Sequence, residues 1–196
     1  MKRQKDMKNQ SWVIADTHFG HAGVCRFMAP NGVDKLRPWD NTEEMDEAMI
    51  QNWNSVVGPT DRVYHLGDVA INRKALHVLG RLNGRMVLVK GNHDIFALKD
   101  YLPYFDDIRA YVVKKTEQGG KLILSHIPIH EESLGRWGLN IHGHLHAHKV
   151  MQAKNRFKED KRYVCVSVEQ TNYFPLTLQE AISRGVPERT DWYTKD

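Results

Sequence analysis

An apolar run that ends in polar side chains stands at residues 86–94, where the sequence is MVLVKGNHD. Residues 86–89 have the length and composition of a buried strand. Asn92 and His93 follow almost at once, and amide and imidazole side chains can both coordinate divalent metals. This stretch therefore predicts a buried strand with a polar site at its carboxyl end.

The same arrangement recurs four more times along the chain. Apolar runs at residues 12–15, 62–67, 121–125 and 139–143 lead to Asp16 and His18, to Asp68, to His126, and to His144 and His146, respectively. Neighbouring strands of one sheet bring their ends together, and α/β sheets generally bind ligands at the carboxyl ends of their strands. We therefore expect these side chains to converge.

Helical patterns between the apolar runs indicate an α/β fold. Asn41 is followed three residues later by Glu44, a capping pattern, and apolar residues then recur at helical spacing up to Val56. Further helices are predicted over residues 73–82, over residues 95–102 with Asp94 as the cap, and after Thr177. Glycines at 119 and 120 predict a hairpin, and the later strands predict a second sheet.

Length and composition predict one globular domain. The chain has 196 residues, of which 41% are hydrophobic and 27% are charged, and this composition excludes a chain that is disordered throughout. We expect a flexible tail at residues 1–10 and a single domain at residues 11–196. No apolar run approaches the roughly 18 residues that cross a bilayer. The first residues of the sequence lack the apolar core of a secretion signal. The presence of only two cysteines suits a reducing compartment. A cytoplasmic protein without a membrane partner is expected.

The candidate ligands suit a pair of divalent cations. Aspartate, asparagine and histidine without cysteine supply oxygen and nitrogen atoms, which fit Mn²⁺, Fe, Zn²⁺ or Ni²⁺. Seven candidates are too many for one tetrahedral ion, but they fit two ions about 3.5 to 4 Å apart that share a carboxylate, an arrangement suited to displacement at phosphorus. The spacings Asp16-x-His18 and His144-x-His146 predict that each pair points to one side of an extended backbone.

Five short motifs in order give the chain a resemblance to a known family. They are Asp16-Thr17-His18, Gly67-Asp68, Gly91-Asn92-His93-Asp94, Ser125-His126 and Gly143-His144-Leu145-His146. In this order they resemble the motifs of the calcineurin-like metallophosphoesterases, specifically their small bacterial and phage members. The resemblance covers nearly the whole chain. It implies that family's four-layer α/β/β/α sandwich of two mixed sheets flanked by helices.

The resemblance also implies a role for each motif residue. One metal would be held by Asp16, His18 and His146, the second by Asn92, His126 and His144, and Asp68 would bridge the two. His93 would lie over the substrate phosphate as an acid or charge stabiliser, with Asp94 orienting its ring. A helix starting after Asn92 would add N–H groups near the anion.

The implied reaction is hydrolysis of a phosphoester by in-line attack of a metal-bound hydroxide. Two dications lower the pKa of a bound water to about 7, and Mn²⁺ is the metal we expect first. The substrate would be a phosphorylated small molecule or nucleotide, with a phosphodiester favoured, and the net charge of +4 fits an anionic substrate.

Arg73 and several histidines have both a functional and a structural interpretation. Arg73 follows Gly67-Asp68 at a spacing similar to that of a phosphate-binding arginine in some family members, but an exposed arginine in the first turn of a helix is the simpler interpretation. His21 either contacts the site or is a loop histidine. His65, inside an apolar run, fits a core histidine.

Strand alternation separates the remaining histidines of the last motif. It directs only His144 and His146 towards the site, so that His142 and His148 fit structural roles.

Two other functions are considered beside hydrolysis of a small phosphoester. The long connection at residues 147–162 is basic, and we expect there either a solvated hairpin or loop, or a contact with substrate or nucleic acid. A nuclease or nucleic-acid-binding protein is therefore the alternative function. A non-catalytic scaffold of the same fold is disfavoured, because every expected motif position is filled. The connection at residues 20–40, which includes Arg26, Phe27, Arg37 and Trp39, is long enough to be functional.

Overall fold

Two mixed β-sheets flanked by helices make up the described part of the chain, residues 9–116 and 119–186 of a computed structural model. This architecture confirms the predicted fold class. Residues 1–8 of the predicted tail lie outside the described residues. Gln10 is already tied to the domain, because its backbone N–H donates to the Asp61 carboxylate at 2.9 Å.

The first sheet carries three of the predicted strand ends side by side. Its parallel strands are β1 (Ser11–Ile14), β2 (Arg62–His65), β3 (Arg85–Val89) and β4 (Phe105–Arg109), in that order. A short strand, β11 (Leu176–Thr177), pairs antiparallel with β1 at the edge. The carboxyl ends of β1, β2 and β3 therefore meet at one edge of the sheet.

The second sheet contains the other two strand ends. Strands β6 (Lys121–Ser125), β7 (Leu139–His142) and β10 (Tyr163–Cys165) are parallel, and β5 (Tyr111–Lys115) pairs antiparallel with β6 as the predicted hairpin. The basic connection forms a small antiparallel hairpin of its own, from β8 (Met151–Gln152) and β9 (Asn155–Glu159).

Helix α1 (Thr42–Val56) confirms the predicted capping pattern. The side chain of Asn41 accepts a hydrogen bond from the backbone N–H of Glu44 at 2.8 Å. One face of the helix buries Met45, Met49, Ile50 and Trp53 in a core shared with the first sheet. The predicted last helix is α4 (Leu178–Arg184), which begins with a capping box between Thr177 and Glu180.

Two of the predicted helices differ in the structure. The segment predicted over residues 73–82 is a 3₁₀ helix, Arg73–Arg81. Its buried pairs, 75 with 78 and 76 with 79, recur every three residues, and three residues make one turn of a 3₁₀ helix. The helix predicted over residues 95–102 shortens to α2 (Leu98–Tyr101), and no side chain caps it. A further short helix, α3 (Glu131–Leu134), precedes β7.

Packing between the two sheets fixes how their strand ends face each other. Alternate residues of the first sheet, such as Val13, Tyr64 and Val87, share a core with Leu124 and Ile141 of the second sheet. Helix α4 also contacts both sheets. No helix in the part of the chain that the structure describes is long and apolar enough to cross a membrane.

Candidate metal centre

Six of the seven predicted metal ligands fall into two groups at the strand ends. Asp16, His18 and His146 form the first group, and Asp68, His126 and His144 form the second. Within each group the possible ligand atoms lie within 4.8 Å of one another. The structure therefore contains two groups of aspartate and histidine side chains that can hold metal ions.

The backbone at five of these six residues is left-handed, so the predicted extended backbone of the paired motifs is wrong. The φ angles are 59° at Asp16, 49° at His18, 58° at Asp68, 69° at His144 and 50° at His146. Residues other than glycine rarely adopt this region, and each instance costs about 1–3 kcal/mol. The tight turns, rather than side-chain alternation, bring the paired ligands to one place. Such strain is typical of functional sites.

Backbone hydrogen bonds between the loops hold two of these turns. The N–H of Asp16 donates to the carbonyl of Gly67, and the N–H of His18 donates to the carbonyl of Asp68, both at 3.0 Å. The loop after β1 is thereby attached to the loop after β2.

Asp16 has one carboxylate oxygen held by the protein and one left for a cation. Oδ2 accepts hydrogen bonds from the hydroxyl of Ser167 at 2.7 Å and from the backbone N–H of His144 at 2.8 Å. Oδ1 is buried and has no hydrogen-bond partner among the residues described. Burial raises the pKa of Asp16 to about 6. A divalent cation at Oδ1 would compensate for this burial.

The ring nitrogens of His18 are also available to a cation. Neither ring nitrogen has a hydrogen-bond partner within the described part of the chain, although both nitrogens are buried. Burial, assisted by the charge of Arg37, lowers the pKa of His18, so that the ring is neutral, the form in which histidine binds metals.

The carboxylate of Asp68 lies between the two groups. Its Oδ2 is 3.6 Å from Nε2 of His18 and 3.5 Å from Nε2 of His126. Its Oδ1 accepts a hydrogen bond from the backbone N–H of His93 at 2.8 Å. This oxygen is therefore almost equally near His18 of the first group and His126 of the second.

Asn92 lies beside two histidines of the second group, and a backbone carbonyl contacts the ring of one of them, His126. Nδ1 of His126 lies 2.7 Å from the carbonyl of Leu66. Because a carbonyl only accepts, a neutral ring that donates from Nδ1 would present the lone pair of Nε2 to a cation. Oδ1 of Asn92 is 2.7 Å from that Nε2 and 2.9 Å from Nδ1 of His144. The seventh predicted ligand thus lies against the same two histidines.

His93 lies beside the cluster without belonging to either group. Its ring centroid is 5.5 Å from that of His18, and its side chain is exposed. A ring in this position can contact a substrate that sits on the metal ligands.

The roles predicted for Asp94 need correction. It neither caps a helix nor orients the ring of His93 in this structure. Instead, its two oxygens accept hydrogen bonds from the backbone N–H groups of Asp68, Val69 and Gly91, at 2.8, 3.0 and 2.7 Å. Asp94 therefore fixes the loops after β2 and β3 relative to each other. Because no helix starts until Leu98, the predicted helix start after Asn92 is also wrong.

Two motif glycines are required by their close approach to the carboxylates of Asp68 and Asp16. A Cβ atom on Gly91 would lie 2.2 Å from Oδ1 of Asp68, and one on Gly143 would lie 2.6 Å from Oδ2 of Asp16. Any larger residue would displace the carboxylates.

Arg37 and Glu169 form hydrogen bonds to residues of the first group and its loop. Sequence analysis assigned a role to neither of them. Arg37 donates to the carbonyl oxygens of Asp16 and Thr17 at 2.6 and 2.7 Å. Glu169 Oε1 accepts from Arg37 Nε at 2.9 Å and lies 3.1 Å from Nδ1 of His146. Burial tends to lower the pKa of His146, but the bond to Glu169 and its charge raise it overall.

A signal for Glu169 and Ser167 existed in the sequence. Both residues follow the apolar strand β10, so they obey the same strand-end rule as the predicted ligands. No comparable pattern marks Arg37, which lies in the long connection at residues 20–40.

Arg73 and His21 each had a functional and a structural interpretation, and the structure shows which contacts their side chains make. Arg73 is exposed in the first turn of the 3₁₀ helix and forms an ion pair with Asp100, as the structural interpretation expects. The ring of His21 lies 5.6 Å from that of His18, beside the site.

His65 and His142 are both buried, as structural histidines should be. Nε2 of His65 is 3.0 Å from the hydroxyl of Thr17, and Nδ1 of His142 is 2.8 Å from the carbonyl of Gly143.

Comparison with known proteins identifies relatives of unassigned function. No family model matches the chain. The chain is 35% identical over 187 residues to the uncharacterized protein MJ1445 of Methanocaldococcus jannaschii, covering 91% of this chain and 94% of the relative. It is 28% identical over 174 residues to the gene 66 protein of Mycobacterium phage L5, covering 73% and 80% of the two chains.

A solved structure supports the fold. The protein of unknown function AQ665 from Aquifex aeolicus superposes with a TM-score of 0.65 at 27% identity, covering 88% of this chain and 97% of that one.

Proposed function

The chain belongs to the same family as the uncharacterized protein MJ1445 of Methanocaldococcus jannaschii, and from its own site we propose that it is a phosphohydrolase that uses two divalent metals. The position of Asp68 carries this proposal, because one free carboxylate oxygen lies within 3.6 Å of a histidine from each ligand group. The calcineurin-like motifs agree with it.

Each group of ligands would hold one cation. Asp16, His18 and His146 would hold the first, Asn92, His126 and His144 the second, with Asp68 between them. When bound, the cations supply a water of lowered pKa and offset the negative charge of a phosphate. The oxygen and nitrogen donors favour Mn²⁺, with Fe, Zn²⁺ and Ni²⁺ as alternatives.

His93 is the side chain, apart from the metal ligands, to which we assign a catalytic role. Its exposed ring beside His18 would donate a proton to the leaving ester oxygen or stabilise charge on the phosphate. The backbone N–H of this residue is anchored on Asp68, and Asp94 holds the same pair of loops. These hydrogen bonds fix the backbone of His93 relative to the proposed metal ligands. A phosphodiester or nucleotide is the proposed substrate, and the cytoplasm the proposed location.

Nucleic acid is a second candidate substrate or ligand because of the hairpin of β8 and β9. Phe157 is 99% exposed between Arg156 and Lys158, and an aromatic ring among cations can stack on an unpaired base. Lys149 and Lys161 already pair with Glu159, which reduces the free charge of this hairpin. Steeply salt-dependent binding of single-stranded DNA or RNA without turnover would favour this candidate.

A metal-by-substrate comparison tests the proposal. Protein stripped with a chelator is reloaded with Mn²⁺, Ni²⁺, Zn²⁺ or Mg²⁺ and given an aryl phosphate monoester or a bis-aryl phosphate diester. We expect hydrolysis that depends on added metal, with about two metals bound per chain at full activity. Hydrolysis that persists without metal, or no hydrolysis with any metal, would refute the proposal.

A further inference from the structure

A cavity lined by isoleucines borders the second ligand group. The isoleucine cavity has a volume of about 630 Å³ and includes Asn92 and His126 in its wall. Its apolar wall is formed by Ile108, Ile123, Ile127, Ile129 and Tyr111. Ile127 is 54% exposed and Tyr111 55% exposed. Large apolar side chains left in water beside convergent polar groups are typical of a binding site.

A second apolar cavity borders the cluster through different residues. The loop cavity, of about 410 Å³, includes His144 and His146 in its wall, together with Phe27, Met28, Leu36 and Leu145. Phe27 and Met28 are each 51% exposed. The ring of Phe27 packs edge-on against His21 at 5.8 Å, and His21 lies next to His18. The long connection at residues 20–40 is thus part of the site's surroundings.

Both cavities are large enough for an aromatic or branched apolar group. A cavity of about 150 Å³ is sufficient to hold benzene. Each cavity adjoins metal ligands, so a group within it would lie next to a phosphate held by those ligands. Lys90 also lines the isoleucine cavity, and its positive charge suits an anionic substrate.

We propose that these two cavities bind the two organic groups of a phosphodiester, one in each cavity. This inference rests on the proposed phosphohydrolase function and narrows its substrate class. A phosphate monoester carries a single organic group and would leave one cavity empty. A diester with an apolar or aromatic group on each ester oxygen uses both cavities while its phosphate contacts the metal ligands.

The test uses one substitution in each cavity and one matched exposed control for each. Ile127→Ser alters the isoleucine cavity and Met28→Ser the loop cavity. Leu102→Ser and Val33→Ser also change exposed apolar side chains, but these residues line neither cavity. Kinetics are measured on bis(nitrophenyl) phosphate and on nitrophenyl phosphate with the metal that gives the highest activity.

We expect each cavity variant to raise KM for the diester about fivefold or more with little change in kcat, because lost apolar contact weakens substrate binding. With the monoester, only one of the two variants should raise KM. The controls should match the wild type on both substrates.

Binding without metal gives a readout that is independent of activity. Saturation-transfer NMR follows the ring protons of diphenyl phosphate on chelator-treated protein, and both cavity variants should weaken this signal while the controls preserve it. A higher kcat/KM for the monoester, or an unchanged diester KM in either cavity variant, would overturn the inference while leaving the phosphohydrolase proposal standing. Failure of both esters to react with any metal would reject the proposed function and this inference together.

Discussion

The guanidinium of Arg37 donates to Glu169 through Nε at 2.9 Å, and the two side chains are 0% and 3% exposed. This buried ion pair also contacts a candidate metal ligand, because the same Glu169 oxygen is 3.1 Å from Nδ1 of His146. Since a carboxylate only accepts, Nδ1 carries a proton, and in the neutral ring Nε2 of His146 keeps a lone pair for a cation. The pair thereby links the long connection at residues 20–40 to the first ligand group.

Glu169→Gln should destabilise the protein and weaken the first metal site. The substitution leaves the guanidinium of Arg37 buried without its counter-charge, which typically costs about 3–5 kcal/mol. Loss of a partner behind a metal-binding histidine typically lowers metal affinity about 10- to 100-fold. Urea unfolding in chelator and metal titration by calorimetry measure the two effects.

The exposed pair of Glu47 and Arg81 provides the control for that experiment. Glu47→Gln should leave both the free energy of unfolding and metal binding close to the wild type, because exposed ion pairs contribute little. Equal metal affinities in Glu169→Gln and the wild type would show that Glu169 does not support the first site.

Asp68→Asn should weaken both metal sites together. The amide oxygen of the variant side chain can still accept from the backbone N–H of His93, but the bridging position loses its negative charge. We expect the affinity of each site to fall at least about tenfold, as measured by metal content after dialysis against known free-metal concentrations. Asp107→Asn, which removes an exposed carboxylate paired with Arg109, is the control. Full occupancy of either site in Asp68→Asn would contradict a shared bridge.

His93→Ala should retain both metals and lose turnover. The ring belongs to neither ligand group, whereas the loss of a general acid lowers kcat about 10²-fold or more. Turnover of the aryl esters and metal content are measured on the same preparation. His77→Ala, which removes an exposed histidine on the 3₁₀ helix, should behave as the wild type. If His93→Ala kept wild-type turnover, this residue would have no part in the reaction.

The strand ends could be predicted from the sequence because a short run of apolar residues followed by polar ones is a local pattern. Apolar runs of strand length marked β1, β2, β3, β6 and β7, and the polar residues after each of them do converge in the structure. The capping pattern at Asn41 and Glu44 was equally local and was confirmed. These features follow from the order of apolar and polar residues alone.

Other features depend on contacts that distant parts of the chain make. The left-handed turn at Asp16 is held by a carbonyl in the loop after β2, so that spacing within the motif wrongly suggested an extended backbone. Asp94 was assigned to a helix cap and to His93, but three backbone N–H groups occupy its oxygens. The ion pair of Arg37 and Glu169 joins residues 132 positions apart, and no local pattern could reveal it.

His65 should make the stability of the protein sensitive to acid. Burial lowers the pKa of this histidine from 6.5 to about 3, so the unfolded chain binds a proton below pH 6.5 that the folded protein does not. Stability from this residue is thus present above pH 6.5 and is lost as the pH falls towards 3, with a slope of about 1.4 kcal/mol per pH unit. His65→Gln should reduce the slope of unfolding free energy by about this amount between pH 4.5 and 6, measured by urea unfolding in chelator. An unchanged slope in His65→Gln would mean that the buried ring already takes up a proton within this range.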